Sequence, residues 1–495
     1  MKPSIRSSAS HFAGIFLLWF LFAAFAEIST AQGQSAAGIQ PAFLNEFINN
    51  SCLQHASVGV LVIDAESGEV EMEHQPDLTL VPASLQKLLV SAAALQTFAA
   101  SYTFETQLLY QGVIDSAGTL HGDVILRGGG DPTFGSSRFA THYGDVMQRL
   151  AAALLQAGIA LVDGNIVADA SLFGSSQLTG TWIWEDIGNY YGAAPCGLNY
   201  LDNSYEITFA TRAAGTAAEI VKTTPKLPDI TFRNSVMAGG SGDEAYIYGS
   251  YLTNIREVRG TLPPYRKAFT IRGALPDPAL VAATQLWAAV GKSGIAVNGI
   301  ARSEYQQQDS INEQVLLKIA SPSLTEIIHE LNLNSINLYA ETLLLHLAIS
   351  ADKAPEIKMG CEVLKKFWKE KGMDTDGLFM EDGSGLSRTN GITAHQFAFV
   401  LREAINSENG DIFLTSLPLA GRSGTLRYFG DGTPIEGKWR AKTGNMSRVT
   451  GHAGLLTDAA GRNKIVVVMV NNFVCTRMEL QRKIERLLVG IYENE

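Results

Sequence analysis

Cysteine is scarce in this 495-residue chain: Cys52, Cys196, Cys361 and Cys475 lie far apart, too few for a disulfide scaffold. Four cysteines admit three pairings, and their spacing selects none of them. Basic residues are also in deficit, 38 against 49 acidic ones, for a formal net charge of −11. That balance argues against nucleic acid or an anionic membrane surface as the main partner, since both are polyanions. The nine histidines form no H-x-x-x-H pair and there is no C-x-x-C, so no metal site is expected. The G-x-S-x-G elbow of the α/β-hydrolases is missing, because 421–425 and 291–295 both lack the last glycine. The run Gly128-Gly129-Gly130 has neither the lysine nor the hydroxyl of a phosphate loop and reads as a turn, so no cofactor is implied. With 46% hydrophobic residues the chain is too apolar to be disordered, and its length suggests about three domains of roughly 150 residues.

Long hydrophobic runs are absent too, with one exception. Lys2 and Arg6 precede the apolar stretch Phe12 to Ala26, and Ser29-Thr30-Ala31 then offers a cleavage site before Gln32. Residues 1–31 therefore read as a signal peptide, which places the mature chain in the periplasm. No cysteine sits at the cleavage point, where Gln32 follows, so no lipid anchor is expected. Cleavage removes two bases and one acid, taking the net charge from −11 to −12. No later segment approaches the ~18 apolar residues of a spanning helix, so no integral membrane span is expected after cleavage.

What is present is organised around the two ends. Residues 57–74 read as a hairpin and a helix opens at Pro82, while 437–456 and 464–473 read as strands before a terminal helix over 476–492. Strands near both ends predict one sheet assembled from the two termini, with an insertion between them. Inside that insertion a weak repeat occurs. A helix over 145–156 leads into Gly158-Ile159-Ala160-Leu161-Val162-Asp163-Gly164, and one over 278–290 leads into Gly294-Ile295-Ala296-Val297-Asn298-Gly299. Two such units predict a second domain of two similar halves, with a strand-rich module over 201–275 nested in it.

The remaining nucleophile scheme is a serine activated by lysine, carried as S-x-x-K, S-x-N and K-[ST]-G in that order. Each motif recurs, so context must choose. Ser84 and Lys87 share a face at i and i+3 in the first turn of an apolar helix, where burial can free the lysine of its proton. Ser350–Lys353 sits at a polar helix end instead. Lys442-Thr443-Gly444 lies in a strand-like segment, whereas Lys292–Gly294 is a helix end stopped by glycine. Ser335-Ile336-Asn337 opens a helix-like stretch over 334–347, whereas Ser310 and Ser407 lie in polar loops.

The selected set, Ser84, Lys87, Ser335, Asn337, Lys442, Thr443 and Gly444, resembles the serine D-alanyl-D-alanine carboxypeptidases/endopeptidases of the low-molecular-mass class C penicillin-binding proteins. The blocks Pro82–Lys87, Gly128–Thr133, Asn337–Glu341, Asp382–Arg388 and Leu417–Gly421 carry the same likeness across nearly the whole mature chain. The resemblance implies an α/β (α+β) fold, in which a transpeptidase/β-lactamase-like domain, an antiparallel sheet flanked by helices, is interrupted by inserted α/β and β-rich domains. Its pieces would be 36–102 and 305–495, with insertions at 103–200 and 276–304 and a nested module at 201–275. The implied substrates are peptidoglycan stem peptides, and β-lactam antibiotics are implied ligands. Ser84 would be the nucleophile and Lys87 its base. Ser335 would relay protons, while Asn337 positions the substrate amide and Lys87. Lys442 and Thr443 would grip the terminal carboxylate, with the backbone N–H groups of Ser84 and Asn445 as oxyanion donors. Arg388 and Asp169 would hold the stem-peptide side chain. Asn445 stands where the family commonly has threonine, and Cys196 where it usually has no cysteine. A serine β-lactamase and a catalytically weak penicillin-binding wall receptor are the competing readings of the same motifs.

Overall fold

Valine and isoleucine crowd both ends of the chain, and those segments meet in one sheet. The computed structural model describes residues 40–175, 177–308 and 312–494, so the expected signal peptide lies outside the described residues. Five antiparallel strands run in the order Trp439–Met446, Val449–Thr457, Asn463–Asn471, Ser57–Asp64, Val70–His74. Ser57–Asp64 pairs with Asn463–Asn471 at all eight positions, from Ser57 opposite Asn471 to Asp64 opposite Lys464. Alternate residues of these central strands feed two cores. Leu61, Val467 and Met469 pack with the helix Lys87–Thr97 on one face. Val60, Val62, Val466 and Val468 pack on the other with the helices Ala42–Ile48 and Arg477–Glu493. A strand buried on both faces loses its polar alternation, which is why these segments read as continuous apolar runs. A disulfide between Cys52 and Cys475 joins the two ends beside this second core. Cys196 and Cys361 are free and buried, the Cys196 thiol 3.9 Å from the Tyr305 hydroxyl.

The interior of the chain forms a larger mixed sheet. Within it the two repeat units lie side by side, Ala296 opposite Leu161 and Ala301 opposite Ile166, both in parallel pairing. Their helices, Val146–Gln156 and Pro278–Lys292, pack on each other. Two three-stranded sheets occupy the segment between them, one of which carries Glu244–Tyr248 and Ile255–Leu262. The fold is thus a mixed α/β architecture with both antiparallel and parallel pairing. No helix among the described residues is long and apolar enough to cross a membrane.

Two local expectations change. The helix opening at Pro82 starts as a tight 3₁₀ turn, Ala83–Gln86, and becomes α-helical only from Lys87. The stretch over 334–347 is not one helix start but a junction. Leu324–Asn334 ends on Ser335 in the left-handed conformation (φ 58°, ψ 45°), and Asn337–Ser350 begins two residues later. Both changes lift a serine out of regular helix at a helix end, where its hydroxyl is free to meet other elements.

Candidate active site

The turn bearing Ser84 is wedged between two glycines. A side-chain carbon on Gly444 would collide with the Pro82 carbonyl oxygen, and one on Gly385 with the Ala83 carbonyl oxygen. Ala83 itself has a φ of 47°, a strained setting for a non-glycine residue. Strand and loop therefore grip the turn by its backbone.

Lys87 is fully buried, with its Nζ 2.9 Å from Ser84 Oγ and donating to the Ser384 carbonyl at 2.6 Å. Burial pushes the ammonium down to about 7, against the opposing pull of Asp382 and Glu341. A lysine so placed is neutral often enough near neutral pH to take a proton from a serine hydroxyl 2.9 Å away.

The loop that presents Ser384 is organised by two buried acids. Glu341 accepts the N–H groups of Gly383 and Ser384 at 3.0 and 2.7 Å. Burial pushes its carboxyl up to about 8, helped by the Asp382 charge. Asp382 accepts from the Gly385 and Ser387 N–H groups, the Asn390 amide and the Trp182 indole. A buried carboxylate with this many donors is satisfied, and it fixes the loop in one conformation.

A second lysine–serine pair completes the group. Lys442 is fully buried and donates to Ser335 Oγ at 2.9 Å and to the Thr443 carbonyl at 2.8 Å. Burial holds it well below the usual lysine range, and the charge of Lys87 pushes the same way, so the two lysines share one electrostatic cluster. The Thr443 hydroxyl donates to that of Thr425 at 2.9 Å, and Asn445 Oδ1 accepts from Thr450 at 3.2 Å. His452 faces Thr443 across the strand pair, fully buried and pushed down to about 4 by burial and then by Lys442.

Three residues expected at the site are placed differently from the others. Asn337 donates from Nδ2 to the Tyr191 carbonyl at 2.7 Å, while the backbone of Ser384 takes the second contact with Lys87. Asp169 sits at a strand end with its carboxylate 2.7 Å from Arg127, which also holds Glu313 through two bonds. Arg388 is exposed, and the acid that feels its charge is Asp186, whose carboxyl is raised by burial and lowered in part by the Tyr191 hydroxyl and by Arg388. Asp186 leaves no signal in the sequence, because its helix, Trp184–Ile187, is a single turn and shows no periodicity. Glu341 did leave a signal: it is the lone acid in the largely apolar stretch from Leu338 to Leu347.

A family model described as D-Ala-D-Ala carboxypeptidase 3 (S13) matches residues 41–494. The chain belongs to that family. Among curated relatives of this S13 peptidase, the D-alanyl-D-alanine carboxypeptidase of Actinomadura sp. (strain R39) is 28% identical over 87% of the chain and 80% of the relative. The D-alanyl-D-alanine carboxypeptidase DacB of Haemophilus influenzae is 27% identical over 92% of the chain and 95% of the relative. Among solved structures, penicillin binding protein 4 (dacB) of H. influenzae aligns with a TM-score of 0.75 at 24% identity, covering 89% of this chain and 96% of that one. A predatory endopeptidase of Bdellovibrio bacteriovorus aligns at 0.52 and 16% identity, covering 88% and 94%. These likenesses give the chain the mixed α/β fold of penicillin binding protein 4.

Proposed function

We propose that this chain is a serine hydrolase that removes terminal D-Ala from peptidoglycan stem peptides and opens D-Ala–diaminopimelate cross-links. It does so through an acyl-enzyme on Ser84, and it binds penicillin as a substrate mimic. The observation that carries the reading is the 2.9 Å pair of Ser84 with a fully buried Lys87 whose ammonium is pushed down to about 7. Neutral Lys87 takes the hydroxyl proton as Ser84 Oγ bonds to the carbonyl carbon of the penultimate D-Ala. The oxyanion is met by the N–H groups of Ser84 and Asn445. The proton Lys87 took is relayed through Ser335, hydrogen-bonded to Lys442, to the leaving amine as the C–N bond breaks. Water then hydrolyses the ester, its hydroxyl going to the acyl carbon and its proton back to Ser84. Lys442 and Thr443 face the terminal carboxylate of the leaving residue, whose negative charge draws the buried Lys442 amine back toward its charged form and accepts from both groups.

The relatives' names support a carboxypeptidase, and the disulfide Cys52–Cys475 supports export to an oxidising compartment such as the periplasm. On this reading 36–102 and 305–495 form the catalytic domain, while 103–200 with 276–304 and the nested 201–275 shape the cleft. Labelled penicillin should leave a long-lived adduct on the mature protein that Ser84→Ala does not form. Muropeptides should release D-Ala and lose cross-links. Rapid turnover of the label would point to a β-lactamase, and an adduct surviving in Ser84→Ala would sink the assignment.

For the third stem residue we take Asp186, whose carboxyl feels the Arg388 charge, ahead of Asp169, which Arg127 holds at 2.7 Å. Such a pair fits the zwitterionic end of a diaminopimelate side chain. Asp186→Asn and Arg388→Gln should each raise KM for a diaminopimelate peptide about tenfold with little change in kcat, the scale of one partly solvated charged contact. Asp169→Asn should leave KM unchanged; steady-state kinetics on a defined pentapeptide decides between the two acids.

A further inference from the structure

The segment 182–191, with the short helix Trp184–Ile187 that carries Asp186, also carries aromatic rings that this reaction does not use. Trp184 is 55% exposed and Tyr190 43%. The Trp184 ring stands 4.6 Å from that of Tyr248, and the Arg259 guanidinium lies over both, 5.7 and 5.1 Å from their centroids. Tyr246, two residues before Tyr248 on the same face of the strand Glu244–Tyr248, is 41% exposed and directly opposite Arg259. Arg272 caps Tyr190 at 3.9 Å. One exposed ring on a surface needs no explanation; four rings interleaved with two guanidinium groups do.

This patch borders the cleft. Trp182, two residues before Trp184, donates its indole N–H to Asp382 at 2.7 Å. The Tyr191 carbonyl, next to Tyr190, accepts from Asn337 at 2.7 Å. Between them Asp186 lies within electrostatic reach of Arg388. The segment 182–191 is therefore pinned to the active site at both ends, and its outward rings run from the cleft onto the sheet that holds Tyr246 and Tyr248. Arginine stacking holds those rings in place before any ligand arrives.

We propose that this surface is a glycan subsite, in which Trp184, Tyr190 and Tyr248 stack against the pyranose rings of the amino-sugar strand from which a stem peptide hangs. A pyranose face presents C–H bonds to the electron-rich face of an aromatic ring, and its hydroxyl and N-acyl oxygens accept from the neighbouring guanidinium groups. The identity of the sugar rests on the hydrolase reading above; the stacking surface itself does not. Its effect is to favour stem peptides still attached to glycan over free ones, through binding energy remote from the reacting bond.

The test compares mature wild type with Trp184→Ala, Tyr248→Ala and Trp184→Tyr. The substrates are a free pentapeptide and the same peptide carrying its disaccharide. Trp184→Ala should raise KM for the disaccharide substrate about threefold to tenfold, the scale of one lost stacking contact. The free peptide and the rate of penicillin acylation should be unaffected, and Trp184→Tyr should restore most of the loss. Wild type should also sediment with glycan strands stripped of their peptides, and Trp184→Ala with Tyr248→Ala should not. Equal losses on both substrates, or no loss on either, would overturn the subsite, as would failure of wild type to bind stripped glycan or equal retention on anionic lipid vesicles. Absence of turnover on both substrates would sink the hydrolase reading alone, since the sedimentation assay still decides the subsite.

Discussion

Replacing Lys87 by methionine is expected to slow acylation of Ser84 by penicillin about a thousandfold, within the ~10²–10⁴ that a positioned general base contributes. Methionine nearly matches the volume of the lysine stem in a fully buried slot, so the loss reports chemistry rather than collapse. The same group sets the pH dependence of the wild type. Burial lowers the ammonium to about 7, so below that pH Lys87 is protonated and cannot accept the Ser84 proton, while above it the base is free. The acylation rate should therefore rise with pH through about 7 and level off above it, and the residual rate of Lys87→Met should show no such rise. Stopped-flow acylation between pH 5 and 9, with circular dichroism to follow the fold, measures both. A wild-type rate flat across that range would remove Lys87 from the role of base.

The neighbours of Lys87 explain why its proton is held so loosely yet its position so firmly. Glu341 and Asp382 pull the ammonium toward the charged form, but both are themselves bound to the backbone of 383–387 and serve that loop first. The loop returns a single carbonyl, that of Ser384, to Nζ. The charge of Lys87 is felt in turn by the buried Lys442, whose ammonium burial and Lys87 both push down. The balance leaves desolvation as the largest effect on Lys87, which is what a lysine base needs.

How much of this was legible in the sequence depends on how far apart the interacting residues lie. Ser84 and Lys87 are three residues apart, and the spacing alone puts them in reach. The paired strands near both ends were legible because each is a long apolar run, yet their register of Ser57 against Asn471 was not, since pairing energy is tertiary. Ser335 could be picked by motif order, but its left-handed backbone and its contact with Lys442 across 107 residues could not. Asp169 and Asp186 differ only in what faces them. The first lies beside Arg127 in the strand pairing and is spent there, while the second sits in the one-turn helix Trp184–Ile187 within electrostatic reach of Arg388, a helix too short to leave a periodic pattern. The disulfide joins residues separated by 423 positions, and no spacing rule selects it from the three pairings.

Gly444→Ala separates position from chemistry. The added carbon would meet the Pro82 carbonyl oxygen, a backbone atom of the turn that carries Ser84, so the turn itself must move. A displacement on the order of 1 Å at a reacting group costs roughly 10²-fold, and acylation should fall by about that factor. No titrating group is altered, so the rise with pH through about 7 should persist at the lower rate, unlike in Lys87→Met. Gly451 is the natural comparison, because it lies directly opposite Gly444 in the strand pair. A carbon added there meets the Cδ1 methyl of the buried Leu85, a side-chain end rather than a backbone atom. Gly451→Ala should therefore lose only a few-fold in rate, since volume changes absorbed by side chains cost far less than shifts of backbone. Equal losses in the two variants would mean that general crowding, not the grip of the strand on the turn, limits acylation. A Gly444→Ala variant with its pH dependence abolished would mean that the strand also controls the burial of Lys87.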